Sequence, residues 1–483
     1  MKFKGRILVL GYGSVAQCFV PILIKFLQIN PKNITVVDIQ NKEDLLADYI
    51  SKGLLFVQQT INKNNYKEFV SKFVGADDLL IDLALNIDTI DLLTWCRQTN
   101  VYFLNSALIS WSASPQSALD NPESSIFESG HIEIQNLIKS LPHNEGRTAV
   151  ITHGANPGLS SHFLKKGLCD IANKVLHEAG NHQKKELAKA LEEYNYAKIA
   201  YLIGVKAIHI SEHDAQLINK PKIANEFVNT WSPSALIQEC LDLAQVGWGT
   251  HEKTPLKKSF SHKSLSHYKI LNSRALNTAM YSWVPSGNII GMIIPHEDIF
   301  EFTSHLSLYE NSKIVYCPTL AYIYLVSDAA LASLQELETR NLVPQDNWRV
   351  VNNEICSGYD QLGCLLMGDF GAWWIGSTLT IEQSRALITG KNACTMQVAA
   401  GLVAGFDFIC TYPNKGIKIP FEIPHEPALA AAEPFLGDFI SKAVDWSPIE
   451  LANSLRPYQT EPYDKSDQWQ FKTFLHKTND FNN

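Results

Sequence analysis

The stretch Arg6–Gln17, "RILVLGYGSVAQ", decides the fold. An apolar run from Ile7 to Leu10 passes directly into Gly11, Gly13 and Ala16, and then into the apolar helix pattern "CFVPILIKFL", interrupted only by Pro21. This is strand, tight turn, helix. Each residue of G-x-G-x-x-A has a reason to be there. Gly11 permits the turn, Gly13 lets the backbone approach a pyrophosphate, and Ala16 lets the helix pack on the strand. Ser14 and Val15 open that helix, and its N-terminus faces the negative charge.

Working outward, "NITVVD" supplies a second β-branched strand that ends in Asp38, 22 residues past Ala16. A carboxylate there hydrogen-bonds a ribose 2′-hydroxyl and repels a 2′-phosphate, which favours NAD over NADP, with Lys42 nearby acting the other way. The alternative is a glycine turn of purely structural use. Further strands follow at "GLLFVQQT", "DDLLIDLAL" and "VYFLNSA", with helical "DTIDLLTWCRQ" among them. That alternation predicts a Rossmann-type, doubly wound parallel sheet. Ligands lie beyond the carboxyl ends of such strands, so Thr60, Leu85, Asn86, Asp88, Asn105 and Ser106 are placed near the cofactor by position alone.

The βα rhythm ends at "TAVITHGANPGLSSHF", read as a strand, a Gly/Asn/Pro turn and a helix capped near Ser160 or Ser161. Taken alone, Asn156 is a turn former. A dinucleotide domain over 1–150 is therefore expected, then a second, α+β domain over 151–385. The Ala-rich segment 386–483 is expected to be helical and to pack back on the first domain, with a loose polar end from 465. The fold class is α/β with this second α+β domain.

The chain has 483 residues, 46% hydrophobic and 19% charged, with a net charge of −8. Its Lys and Arg are scattered rather than gathered in a stripe, which argues against nucleic acid. Nine cysteines without a C-x-x-C pair read as buried thiols of a reducing compartment. The apolar run before Gly11 is too short for a secretory core, and no stretch is read as a membrane span. A cytoplasmic protein is expected.

"HISEHD", residues 209–214, contains H-x-x-E-H, the pattern of one class of zinc peptidase. Two histidines four apart share a face only on a helix. The flanking "AYLIGVKAI" is β-branched and uncapped, so a strand is predicted, with His209 and Glu212 on opposite faces. No metal is expected.

The motifs "LVLGYGSVAQ", "HGANPGLSSHF", "HISEHD", "EFVNTWSPSALIQE", "IPHED" and "SGYDQLGCLL", in this order along nearly the whole chain, resemble the bacterial homospermidine synthases of the saccharopine-dehydrogenase-like group. The resemblance implies a homodimer that keeps NAD as a prosthetic group. It implies synthesis of homospermidine from two putrescines, or from spermidine plus putrescine, with no net redox change. It implies Trp231, Glu239, Glu212, His296 and Asp360 as catalytic residues, and it brings Asn156, with Pro157, to the cofactor end. The family pattern also has an acid shortly before Trp111. Here Ile109 and Ser110 stand there, so an amine contact at the pocket entrance is either missing or supplied from elsewhere.

Such chemistry needs these residue types. A diamine is a dication and calls for carboxylates at both ends. An amine must lose its proton before hydride can leave the carbon beside it, a task for His296 or a neighbouring carboxylate. The cationic intermediates ask for an aromatic face, worth about 2 kcal/mol or more when desolvated. Trp231 fits that part, and Trp248, Trp283, Trp373 and Trp374 are expected to help keep water out. Two rivals remain. One is an opine-type or carboxyspermidine-type dehydrogenase, whose carboxylate substrate calls for arginine, with Arg274 and Arg349 the candidates. The other is a catalytically inactive NAD-binding regulatory module.

Overall fold

Ile7–Leu10 is buried along its whole length because it lies inside a parallel sheet covered on both faces. The computed structural model of the chain describes residues 3–111, 126–141, 144–178, 181–261, 265–454 and 463–476. In space the seven strands run Leu55–Gln58, Ile34–Asp38, Ile7–Leu10, Leu79–Asp82, Tyr102–Asn105, Ala149–Val150 and Ile417–Lys418, all parallel. The chain order reverses between Ile7–Leu10 and Leu79–Asp82, which opens a crevice at their carboxyl ends, where a dinucleotide binds in this topology. The doubly wound sheet expected from the sequence is present.

The second sheet has ten strands and is mixed. At its centre Val205–Asp214 runs parallel to Thr319–Leu325 on one side and antiparallel to Tyr359–Gly368 on the other. Segment 386–483 divides between the two sheets. Ile417–Lys418 extends the first, whereas Asp438–Val444 pairs with Gly371–Thr380 in the second.

Helix Ala393–Thr411 joins the two halves. Asn392 caps it by accepting from the Thr395 amide at 2.8 Å, and Thr395 Oγ1 meets Cys18 Sγ of the first helix at 3.4 Å. Contrary to the absence of any membrane-length segment expected from sequence, this helix has 19 residues and a mean hydropathy of 1.5. Its apolar character has another cause, for 83% of that stretch is buried inside the protein. At Gly401 a Cβ would lie 1.9 Å from the Gly154 carbonyl oxygen, so only glycine lets the helix approach that turn.

Three further expectations need correction. Ser160 and Ser161 do not cap a helix, because the helix starts at Leu159 and Ser160 Oγ instead donates to Asp298 Oδ2 at 2.9 Å. The polar end is anchored as far as it is described. Phe471 and Phe474 are buried in the hydrophobic core that packs on the second sheet, and Trp469 Nε1 donates to the Gly368 carbonyl at 3.1 Å. Residues 477–483 lie outside the described residues. Finally, Cys356 is exposed and Cys169 and Cys410 are half-buried, so the thiols are not all interior.

Candidate active site

Two connected cavities lie where the sheets face each other. An open groove of about 800 Å³ follows the crevice of the parallel sheet. Gly11, Gly13, Ser14, Asp38, Leu85 and Asn86 line one side, and Trp348, Val350 and Asn352 come from the other half of the chain. Gly11 takes a positive φ of 83°, and a Cβ built on Gly13 would meet nothing within 4 Å, leaving its backbone open to the groove. Asp38 is oriented by two amides, accepting from Tyr12 at 2.7 Å and from Gln40 at 2.8 Å. Glycine cradle, helix N-terminus and oriented acid together fit a dinucleotide.

The inner cavity, about 220 Å³, meets the groove at Val15, Leu85, Trp231 and Ser232. Its floor follows from strand register. Tyr324 pairs with Glu212, Tyr322 with Ile210, and Asp360 with Asp214, so alternation puts Glu212, Asp214, Tyr322, Tyr324 and Asp360 on one face. His209 and His213 fall on the other face. His209 Nδ1 meets Ser282 Oγ at 3.1 Å, its ring packs 4.7 Å from Phe474, and burial pushes its pKa down to about 3. The strand reading of "HISEHD" therefore holds, and H-x-x-E-H does not converge.

Trp231 and Glu239 arrive together. Trp231 precedes helix Pro233–Leu241, whose cap is Ser232 and whose first residue is proline, and Glu239 projects from its second turn into the cavity. Trp231 Nε1 donates to Tyr324 OH at 3.0 Å. Opposite stands His296, at the N-cap of helix Glu297–Leu306. Its ring lies edge-on to Tyr322 at 5.1 Å, and its Nδ1 is 3.4 Å from Asp298 Oδ2.

Glu212 is held by Asn156 Nδ2, which donates to its Oε2 at 2.9 Å, and by the hydroxyl of Tyr322. Glu212, Asp360 and the Cys394 thiol bring ligand atoms within 4.8 Å of one another. Burial raises the Glu212 pKa despite these hydrogen bonds. Burial, reinforced by neighbouring carboxylates, also holds Glu239, Glu297 and Asp360 well above the usual carboxylate range. Among the described residues, the cavity lining contains neither Lys nor Arg. A cation entering this space would find acids waiting for a counter-charge.

Residues 7–129 match the family described as saccharopine dehydrogenase NADP binding domain, and residues 154–444 match its C-terminal domain. Homospermidine synthase of Mesorhizobium japonicum is 31% identical, over 98% of this chain and 97% of that one. The chain belongs to the homospermidine synthase family. The homospermidine synthase of Blastochloris viridis is 28% identical, over 98% of each chain. The crystal structure of homospermidine synthase from Legionella pneumophila in complex with NAD superposes with a TM-score of 0.86 at 33% identity, covering 99% of this chain and 98% of that one.

Against this homospermidine synthase frame, the sequence-placed residues divide. Gly11, Gly13, Ser14, Val15, Asp38, Leu85 and Asn86 line the groove; Ser106, Asn156, Pro157, Glu212, Trp231, Glu239 and His296 line the inner cavity. Asp360 lies directly behind Glu212, fully buried. Asp360 is in neither lining, and three more lie outside both. Thr60 is exposed beyond its strand, Asp88 caps helix Thr89–Thr99, and buried Asn105 clamps the Thr152 amide at 2.8 Å. Among the tryptophans expected to wall the site, only Trp231 lines the cavity, and the other aromatic rings there are Tyr322, Tyr324 and His296. Sequence reasoning missed Tyr322, Tyr324, Glu297 and Cys394. The i, i+2 tyrosines of "TLAYIYL" carried a signal for two of them, since strand alternation puts both on one face.

Proposed function

We propose that this chain is a homospermidine synthase that transfers an aminobutyl group from putrescine, or spermidine, to putrescine. One observation carries the reading: the cavity beside the dinucleotide groove is lined by carboxylates and aromatic rings, with neither Lys nor Arg among the described residues. Held in the groove, NAD supplies a reversible hydride acceptor, so putrescine gives up a hydride, loses ammonia to a second amine and recovers the hydride with no net redox change. The oriented Asp38 carboxylate supports NAD over NADP.

The chain's residues divide the remaining work. Glu212, backed by Asp360, holds the ammonium at the inner end, and Glu239 and Glu297 hold the outer one. Glu297, whose carboxyl is hydrogen-bonded by the Leu108 backbone, supplies the acid that Ile109 and Ser110 do not. The pair Tyr322–Glu212 or His296 takes the amine proton that must leave before hydride transfer. Trp231, at the mouth between groove and cavity, offers a cation a face that cannot trap it as a nucleophile would. The buried side chains of Leu108, Tyr322 and Tyr324 in the cavity lining limit the water that would hydrolyse an imine. A homodimer in the cytoplasm completes the proposal.

The dehydrogenase rival needs an arginine for a substrate carboxylate. Arg349 is instead paired with Glu226 and Glu354, both at 2.8 Å, and Arg274 donates to the Leu241 carbonyl. The test is incubation with putrescine and catalytic NAD without any reductant. Homospermidine and ammonia are expected. Steady accumulation of NADH, or an absolute need for an oxo-acid, overturns the reading, and NAD retention without turnover of any diamine points to the regulatory module.

A further inference from the structure

Trp231 lies on a loop between strand Glu226–Asn229 and helix Pro233–Leu241, half-buried against the core. Its indole Nε1 donates to Tyr324 OH at 3.0 Å. Tyr324 is far better fixed. It belongs to a central strand, is 1% exposed, and its ring stacks on Tyr322 with centroids 6.0 Å apart and planes 19° from parallel. An indole pivots about two side-chain torsions, and a fixed acceptor at Nε1 removes most of that freedom. Accepting the N–H also leaves electron density on the indole, which strengthens its attraction for a cation.

We infer that Tyr324 is a positioning residue for aminobutyl transfer, its hydroxyl holding the Trp231 indole in the plane that faces the reacting carbon. This rests on the reading that Trp231 faces the cationic intermediates. Tyr324 acts through Trp231. Removing its oxygen leaves the ring stack and the strand intact, so the effect belongs in kcat and not in the affinity for diamine or NAD.

The experiment is a double-mutant cycle of Tyr324→Phe and Trp231→Phe, the latter keeping an aromatic face without an N–H. Tyr324→Phe is expected to lower kcat about tenfold in the wild-type background and less than about twofold in the Trp231→Phe background, since one oriented hydrogen bond is involved. The KM for putrescine and the bound NAD stay within about twofold. Equal losses in both backgrounds, or a loss residing in KM, overturn the inference. A second readout needs no turnover: the indole ¹H–¹⁵N resonance of Trp231, assigned by its loss in Trp231→Phe, is expected to move in Tyr324→Phe, and an unmoved resonance overturns the inference. If the wild-type protein makes no homospermidine, it is the functional reading that fails, while the resonance still reports whether Tyr324 holds the indole.

Discussion

Asn156 Nδ2 donates to Glu212 Oε2 at 2.9 Å, joining the turn that follows the first sheet to the central strand of the second. This contact fixes a carboxylate in the lining of the inner cavity. Tyr322 donates to the same oxygen, so both hydrogen bonds fall on Oε2. Glu212→Gln keeps an acceptor for Tyr322 but removes the charge. It is expected to lower kcat by roughly 10²–10⁴ with bound NAD unchanged, the range of a well-placed acid–base or charge partner. Turnover within about threefold of wild type would remove Glu212 from the reaction.

The buried acids predict an unusual stability profile. Glu212, Glu239, Glu297 and Asp360 have raised pKa values, so the folded chain binds more protons than the unfolded one above the ordinary carboxylate range. Their stabilising contribution is complete below the unfolded pKa and is lost as pH rises through the folded values. On the acid side the buried bases dominate. His209 is depressed to about 3 and His153 and His305 to about 4, so their contribution is present above the unfolded histidine value and lost as pH falls. Melting temperature is therefore expected to pass through a maximum on the acid side of neutral. Putrescine should recover the loss on the alkaline limb, where the ionised carboxylates meet its ammonium groups. A profile flat from pH 6 to 9 and indifferent to putrescine would contradict this.

How much of this was legible in the sequence depends on the range of each signal. Gly11, Gly13, Ala16 and Asp38 are read from one strand–turn–helix and the next strand, and the crevice appears where they predict it. Trp231 and Glu239 are close in sequence, one just before the Ser232 cap and the other on the helix it starts, so they too travel together. Tyr322 and Tyr324 were not found, because their meaning depends on pairing with a strand more than a hundred residues away, and a single sequence does not give register. Asp88 and Asn105, expected near the cofactor, lie outside both cavity linings for a related reason. Polar residues at strand ends serve caps and backbone clamps as readily as ligands, and these two are occupied by the Asp91 and Thr152 amides. The tryptophan surplus misled because a large ring fills a core as well as it walls a pocket. Trp374 is fully buried in the second core and bonded to Ser211 Oγ at 3.1 Å.

Asp38 is expected to set cofactor identity. Its carboxylate accepts from the Tyr12 and Gln40 amides, so Asp38→Asn keeps one acceptor and the turn while losing the charge that repels a 2′-phosphate. Purified Asp38→Asn should retain less NAD, by about tenfold in affinity, and should gain measurable binding of NADP. The check is nucleotide content after gel filtration, followed by titration of each nucleotide. Undiminished NAD with no NADP binding would mean that the acid serves the turn alone.

Helix Ala393–Thr411 touches the turn that carries Asn156, and this gives the last prediction. A Cβ at Gly401 would sit 1.9 Å from the Gly154 carbonyl oxygen, while His153 Nδ1 is bonded to the Gly401 carbonyl at 2.8 Å, so neither side can yield without moving the turn. One helical turn later, a Cβ at Gly405 would meet Leu104 Cδ1 at 2.7 Å, the far end of a side chain that can swing aside. Gly401→Ala is therefore expected to cost about 1–3 kcal/mol as overpacking against backbone, and Gly405→Ala less. Because Asn156 lies two residues beyond Gly154, Gly401→Ala should also lower kcat by displacing the Asn156–Glu212 contact, an effect of geometry that reaches about 10²-fold for a misplacement near 1 Å. Thermal melts and steady-state kinetics of the two variants check both parts. Equal melting temperatures, or a destabilised Gly401→Ala protein with unchanged kcat, would show that the helix does not hold the turn in its working position.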